Sequence, residues 1–335
     1  MPEFGFPAQP RQASIRSMVA EIRARADDAR TEAVTERFAD LTAELDGRGN
    51  EVMQIEKSIQ DLQEYAEAIA LSEGRATTMQ GALDAMRLTA QQITDTADTL
   101  RTNGTSRDFE SLSEQARAAL ESLIGSMNVS FAGRSLFAGD AVDTAPIVDA
   151  DTILTNAEPL LAGGATPLTA YAALDTAFFA AGDLFETTFY VGGTGDAPVT
   201  EVAPGERVDY GVRADEDPMR RVLFNMTVMA AAFDTTNGIA GNVREGLLEL
   251  ASSGLRNSIG EIAQIQGRLG SAEARIATMK SRNIASEASL TISFNELAGA
   301  DSFTAALQLT QLEDQLEVAF TTTARLANLT LANFR

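Results

Sequence analysis

The stretch MQGALDAMRLTAQQITDTADTL, Met79 to Leu100, decides the fold. Met79, Leu83, Met86, Ala90, Ile93, Ala97 and Leu100 recur at spacings of 4, 3, 4, 3, 4 and 3, with Gln, Thr and Asp on the other faces. That alternation places every apolar side chain on one narrow stripe of a helix, and such a stripe is hidden only by a partner helix. The segment therefore reads as one helix of a rod.

The same rhythm continues on both sides. Towards the N-terminus it runs through Ile55, Ile59, Leu62, Ala66 and Ile69, and an earlier seam opens at Val34, Phe38, Leu41 and Leu45 before GRGN, Gly47 to Asn50, interrupts it. Towards the C-terminus the Asn-Gly pair of Thr102 to Asp108 predicts a tight turn. A second helix through Phe109, Leu112, Ala116, Ala119 and Leu123 then folds back as an antiparallel hairpin. In the second half of the chain Ile262, Ile265, Leu269, Ala272, Ile276 and Met279 repeat the pattern. A helix over Val243 to Ile284 would span roughly 60 Å. The seam fades near Asn283 and Ser286, and a last helix carries Leu309, Leu312, Leu316, Ala319, Thr323 and Leu326.

Between the helical halves the rhythm vanishes and Gly, Pro, Thr, Asp and Val dominate. FETTFYVGGTG, Phe185 to Gly195, reads as a strand ending in glycines, and VTEVAPGERVDYGV, Val199 to Val212, as strands around a Pro-Gly turn. A short helix is expected over Thr169 to Gly182, and Asp217-Pro218 starts another that runs to about Phe233. At the entrance to this insert stands SMNVSFAGRSLFAGD, Ser126 to Asp140. There Phe131 and Phe137 can bury aromatic area, Gly133 and Gly139 can turn the backbone outward, and Arg134 either pairs with a rod carboxylate or stays solvated.

The fold class is thus mainly α, an elongated antiparallel helical rod, coiled-coil-like, formed by the two halves with a small inserted β-containing domain. Five regions are expected: an N-terminal helical region 1–50 with its first 20 or so residues irregular because of three prolines, N-terminal rod helices 51–135, a β-containing insert 136–216, C-terminal rod helices 217–284, and a C-terminal helical region 285–335. The rod core is assigned to Met79, Leu83, Met86, Ile93, Leu100, Ile262, Ile265, Leu269 and Ile276. The assembly seam is assigned to Phe38, Leu41, Leu45, Leu309, Leu312, Leu316, Ala319 and Leu326, and the rod-insert boundary to Phe131, Gly133, Arg134, Phe137 and Gly139.

Composition narrows the function. The 335 residues carry 26 basic and 48 acidic side chains, a net charge of -22 that repels nucleic-acid phosphates and anionic membranes. With neither His nor Cys, Ser-His-Asp and Cys-His catalysis, disulfides and the usual zinc sites are excluded. VGGTGD, Val191 to Asp196, lacks the Gly-Lys-Ser/Thr of a phosphate loop, and the acidic clusters Asp149 to Thr152 and Ala214 to Pro218 lack calcium-loop spacing, so these read as a turn and as solvated loops. No enzyme activity, cofactor or metal is expected. The seams remain: each must be buried within the chain, as in an ordinary helical bundle, or against another chain.

Four stretches carry a family resemblance: QIEKSIQDLQEYAEAIALSEGRATTMQGAL (54–83), FAGRSLFAGD (131–140), FYVGGTGDAPVTEVAPGERVDYGVRADEDPMRRVL (189–223), and the end from GRLGSAEARIATMK through ARLANLTLANFR (267–335). In these and in the order of its regions the chain resembles the bacterial flagellin family, and within it the hook-filament junction proteins (hook-associated protein 3) in their alphaproteobacterial form. Flagellin's N-terminal signature is missing from its place, and SSGLRNS, Ser252 to Ser258, stands in the wrong half.

The resemblance implies an axial structural subunit whose terminal helices pack chain against chain in an extracellular flagellum, exported unfolded through the type III channel without a cleaved signal. Implied partners are copies of itself, a hook-side adaptor, flagellin and an export chaperone, with no nucleic acid and no membrane. Flagellin itself is the alternative within the same class. An acidic surface-binding or adhesive module, acting through the insert, is the alternative outside it.

Overall fold

The computed structural model describes residues 9–40, 49–103, 106–195 and 199–332, with side chains for all of these except 9–13, 15, 101–112 and 326–332. It is mainly α, with two small two-stranded sheets. The chain divides into two compact units, 65–283 on the one hand and 1–64 with 284–335 on the other.

Unit 65–283 is built on three helices that supply its apolar stripes: α1 to α8 number the helices along the chain, and these are α2 (Gly49–Asn103), α3 (Ser106–Met127) and α7 (Gly241–Ala298). The part of α2 in this unit runs antiparallel to that of α7. Lys280 meets Glu73 at 2.7 Å, and about seven helical turns away Arg256 meets Asp98 at 2.5 Å. Between these ion pairs the two stripes face each other, so Met79, Leu83, Met86, Ile93 and Leu100 share one core with Ile262, Ile265, Leu269 and Ile276. Ala76, Ala90 and Ala97 are also buried in it, small side chains that permit close helix approach. α3 adds Ala116, Leu120, Leu123 and Met127 to the same core.

α3 delivers the chain into a hairpin of β1 (Ser130–Phe131) and β2 (Arg134–Ser135). Its two-residue loop, Ala132 (φ 50°) and Gly133 (φ 76°), has positive φ at both positions, as a type I′ turn requires. The insert is then more helical than its composition suggests. α4 (Ala150–Ala162) is capped by Asp149, whose carboxylate accepts from the Thr152 N–H at 2.8 Å and its hydroxyl at 2.9 Å. α5 (Pro167–Phe179) carries a capping box between Thr166 and Thr169 with Pro167 in its first turn. A strong cap outweighs the sparse periodicity of DTILTNAEPLLA, which is why α4 is absent from the sequence reading.

Phe185 to Phe189 is a π-helical turn and not the expected strand; Tyr190 alone pairs in an isolated bridge with Ile147. The reason is packing. The turn points Phe185 and Phe189 at Phe178, with ring centroids 5.8 and 5.4 Å away, and Phe224 closes on the same ring at 5.4 Å. The Pro-Gly turn is as expected: β3 (Thr200–Ala203) pairs with β4 (Glu206–Val208), with Gly205 at φ 73°. α6 (Asp217–Phe233) begins at the Asp-Pro pair and is buried against α3, α4 and α5. The insert's aromatic residues therefore belong to the same core as the long helices.

Unit 1–64 with 284–335 is thinner. α1 (Gln9–Thr35) begins at Gln9, where an irregular opening was expected, and packs on α8 (Ser302–Ala332). The pairing is antiparallel: Arg23 lies 5.0 Å above the Phe320 ring, and seven residues on Arg30 meets Glu313 at 3.3 Å, seven residues back. A second small cluster joins Val52 to Phe294 and Ala298, with Ile55, Ile59 and Leu297 packed on it.

Two helix ends differ from the sequence reading. α1 stops at Thr35 because Glu36 takes φ 56°, so Phe38 is not on a helix. α7 continues through Asn283 and Ser286 to Ala298, and the break before α8 falls at Gly299 to Asp301. Both ends are closed by one clasp. The Phe38 N–H donates to Ala298 O (3.1 Å), the Ala300 N–H donates to Glu36 O (2.9 Å), and Arg37 bridges Gly299. The Arg37 guanidinium sits 4.8 Å over the Phe294 ring, and Asp301 caps α8 by accepting from the Phe303 N–H and the Thr304 hydroxyl.

Candidate assembly surface

α8 is the element from which a surface can be built. Leu309, Leu312, Leu316 and Ala319 lie on the face turned to α1, where Leu312 forms a small core with Ala26 and Ala29, supported by Ile22, Leu309 and Leu316. Leu312 is buried, whereas Leu309, Leu316 and Ala319 are half-buried. Phe303, Leu307 and Val318 are 72%, 51% and 65% exposed. At about 100° per residue these three cluster within about 60° of one another, and their sector stands roughly 170° from the centre of the face that meets α1. One helix thus carries two apolar faces, only one of them covered by α1.

More apolar side chains of the same unit face solvent: Met18 at 60% and Val34 at 79% on α1, and Ile284 at 58% and Ile292 at 59% on the last part of α7. Met18, Val19 and Ile22 also line an open groove with Val318, Ala319 and Thr322. An apolar side chain gains about 25 cal/mol for each Å² removed from water, so faces of this kind stabilise a contact with another helix.

Of the expected seam, Phe38 sits half-buried beside the clasp, off any helix. Leu41 and Leu45 lie outside the described residues, as does the side chain of Leu326. Ile22, Ala26 and Ala29 were missed. Their signal was present in the spacing of Val19, Ile22, Ala26 and Ala29, overshadowed by the prolines upstream.

The nine rod-core residues all lie in one buried cluster. At the boundary, the Phe131 ring lies against Gly74 of α2, where a Cβ would come within 2.6 Å of its Cζ. Phe137 is fully buried and its carbonyl accepts from the Ala214 N–H at 2.9 Å. Gly139 has φ 62°, and a Cβ there would stand 2.9 Å from the Gly193 carbonyl oxygen. Arg134 is exposed.

The described parts of the glycine-rich and acidic loops make contacts within their own chain. Asp140 accepts from the Gly195 N–H at 3.1 Å, and the Arg213 guanidinium donates to the Thr194 and Gly195 carbonyls at 2.8 and 3.0 Å, so VGGTG wraps a carboxylate of its own chain. Asp149 is a helix cap, and Glu216 pairs with Arg268 at 2.8 Å. Burial pushes the phenols of Tyr171 and Tyr190 up to about 12, with Asp175 and Asp215 adding to the shift, and each donates a hydrogen bond, to Asn225 and to the Gly193 carbonyl. Among the described residues, no group of three or more acidic side chains gathers as a metal site, and no helix is long and apolar enough to cross a membrane.

No protein-family model matches the chain, and no curated protein matches it in sequence. Solved structures align with it. A protein of Vibrio parahaemolyticus assigned as a flagellar hook-associated protein aligns over 73% of this chain and 95% of its own, with TM-score 0.52 and 14% identity. FlgL of Bacillus cereus aligns over 71% of this chain and 98% of its own, with TM-score 0.44 and 14% identity.

Proposed function

We propose that this chain is a structural axial subunit of the bacterial flagellum, joining hook to filament through helix-helix assembly of its terminal regions. The observation that carries the reading is α8, whose second apolar face, Phe303, Leu307 and Val318, is left uncovered by α1. A repeating axial assembly supplies a neighbour for such a face at every subunit. The Vibrio parahaemolyticus fold match supports the same role, since that protein is described as a flagellar hook-associated protein.

In this role the seam residues Leu309, Leu312, Leu316, Ala319 and Leu326, with Phe38, Leu41 and Leu45, serve contacts among terminal regions, the helices of 51–135 and 217–284 serve as the rod, and 136–216 is the outward insert. The partners are further copies, a hook-side adaptor and flagellin, outside the cell after export without a cleaved signal. The role is structural and involves no catalysis.

A deletion strain tests it: hooks should remain, filaments should be lost and flagellin should appear in the medium. Normal filaments in that strain would contradict the proposal. Long polymers grown by the purified chain on filament fragments would instead identify a filament subunit.

A further inference from the structure

A second feature, independent of the terminal helices, lies within the 65–283 unit. Arg75 of α2 is 8% exposed, and its Nε–H has no hydrogen-bond partner. One terminal nitrogen reaches the Tyr210 hydroxyl at 3.4 Å, a long contact with a neutral group. The buried hydroxyl of Ser135 is also unpartnered. Both residues line one pocket of about 20 Å³, together with Tyr210 and, at an exposed position, Arg134.

A guanidinium stays protonated in proteins, and a buried cation is normally matched by a carboxylate. Arg75 makes no ion pair with any described carboxylate, although the chain carries 48 acidic residues. A water molecule could satisfy the N–H and the hydroxyl but would leave the charge uncompensated. Space of about 20 Å³ admits one water-sized atom, hence one carboxylate oxygen, and leaves the other for the rim where Arg134 stands. Tyr210 reports the same field: burial works to raise its phenol, yet hydrogen bonds with Thr200, Arg75 and Ser72 outweigh it and hold the group below the ordinary tyrosine value.

We infer that the pocket of Arg75, Ser135, Tyr210 and Arg134 is a carboxylate-binding socket. The carboxylate comes from a small anion in solution or from an Asp or Glu side chain of a second copy, and the chemistry of recognition is the same. A guanidinium fork holds a carboxylate through parallel N–H donors, and the Nε–H is the one left free here.

The test is sodium formate titrated into the dilute full-length chain, against sodium chloride at equal ionic strength, following the Arg75 Nε–H resonance assigned by its loss in Arg75→Lys. The expected result is a saturable shift with formate alone, weakened about fivefold in Ser135→Ala by the loss of one hydrogen bond. A resonance that already sits at the formate-bound position in concentrated protein, and leaves it on dilution, assigns the carboxylate to a second copy. A formate response unchanged by protein concentration assigns it to a free anion. A resonance indifferent to formate, or moved equally by chloride, overturns the inference.

Discussion

The stripe on α2 and the stripe on α8 are written in the same three-four spacing, yet they meet different ends. From Met79 to Leu100 every stripe residue is 7% exposed or less, because α2 shares its core with α3, α6 and α7. On α8, among the described seam residues, Leu312 is buried while Leu309, Leu316 and Ala319 are half-buried, and the opposite face offers Phe303 and Val318 to solvent. Spacing determines that a helix forms and which face is apolar. The number of neighbours determines whether that face is buried, and among the described residues α8 packs chiefly on α1.

The largest expected effect lies on the filled side of this contrast. Phe178→Ala removes the ring on which Phe185, Phe189 and Phe224 converge and should destabilise the 65–283 unit by about 3–5 kcal/mol in urea unfolding followed by tyrosine fluorescence. A loss under about 1 kcal/mol would show that this core is as thin as the α1–α8 pair. Gly139→Ala should cost the same unit more than about 1 kcal/mol, since it forces a Cβ into positive φ and against two backbone carbonyls.

Alkaline pH should separate the units further, because all four tyrosines lie in 65–283. A folded value of about 12 for Tyr171 and Tyr190, against an ordinary 10, favours the neutral phenol. Its contribution is complete below pH 10 and is lost as pH rises through 12. Tyr210 is shifted downward and acts in the opposite sense, so the check is by variant: Tyr190→Phe should flatten the loss of stability between pH 10 and 12. An unchanged slope would remove Tyr190 from the balance. The smallest effect is expected on the open side, where Val318→Ser should alter the stability of the dilute chain by less than about 0.5 kcal/mol while lowering its assembly.

What could be read in advance follows from how local the cause is. The rod core was legible because one helix face records its own burial in its spacing, and the Pro204-Gly205 and Asp217-Pro218 pairs because they act through their own backbone. The end of α1 was not, since Glu36 at positive φ accepts at its carbonyl from the Ala300 N–H while Phe38 beside it donates to Ala298 O, both far along the chain. Nor was the π-turn at Phe185, whose β-like composition gave way to rings that had to meet Phe178. The second apolar face of α8 carries no three-four run, since Phe303, Leu307 and Val318 are spaced 4 and 11 apart, so spacing alone does not mark it.

The central claim is that α8 is only half covered until another chain arrives, and amide hydrogen exchange tests it most directly. In the dilute full-length chain, amides of α1 and α8 should exchange orders of magnitude faster than those from Met79 to Leu100, and should approach the same protection once the protein is assembled. Protection of α8 in the dilute chain equal to that of Met79 to Leu100, unchanged on assembly, would contradict it.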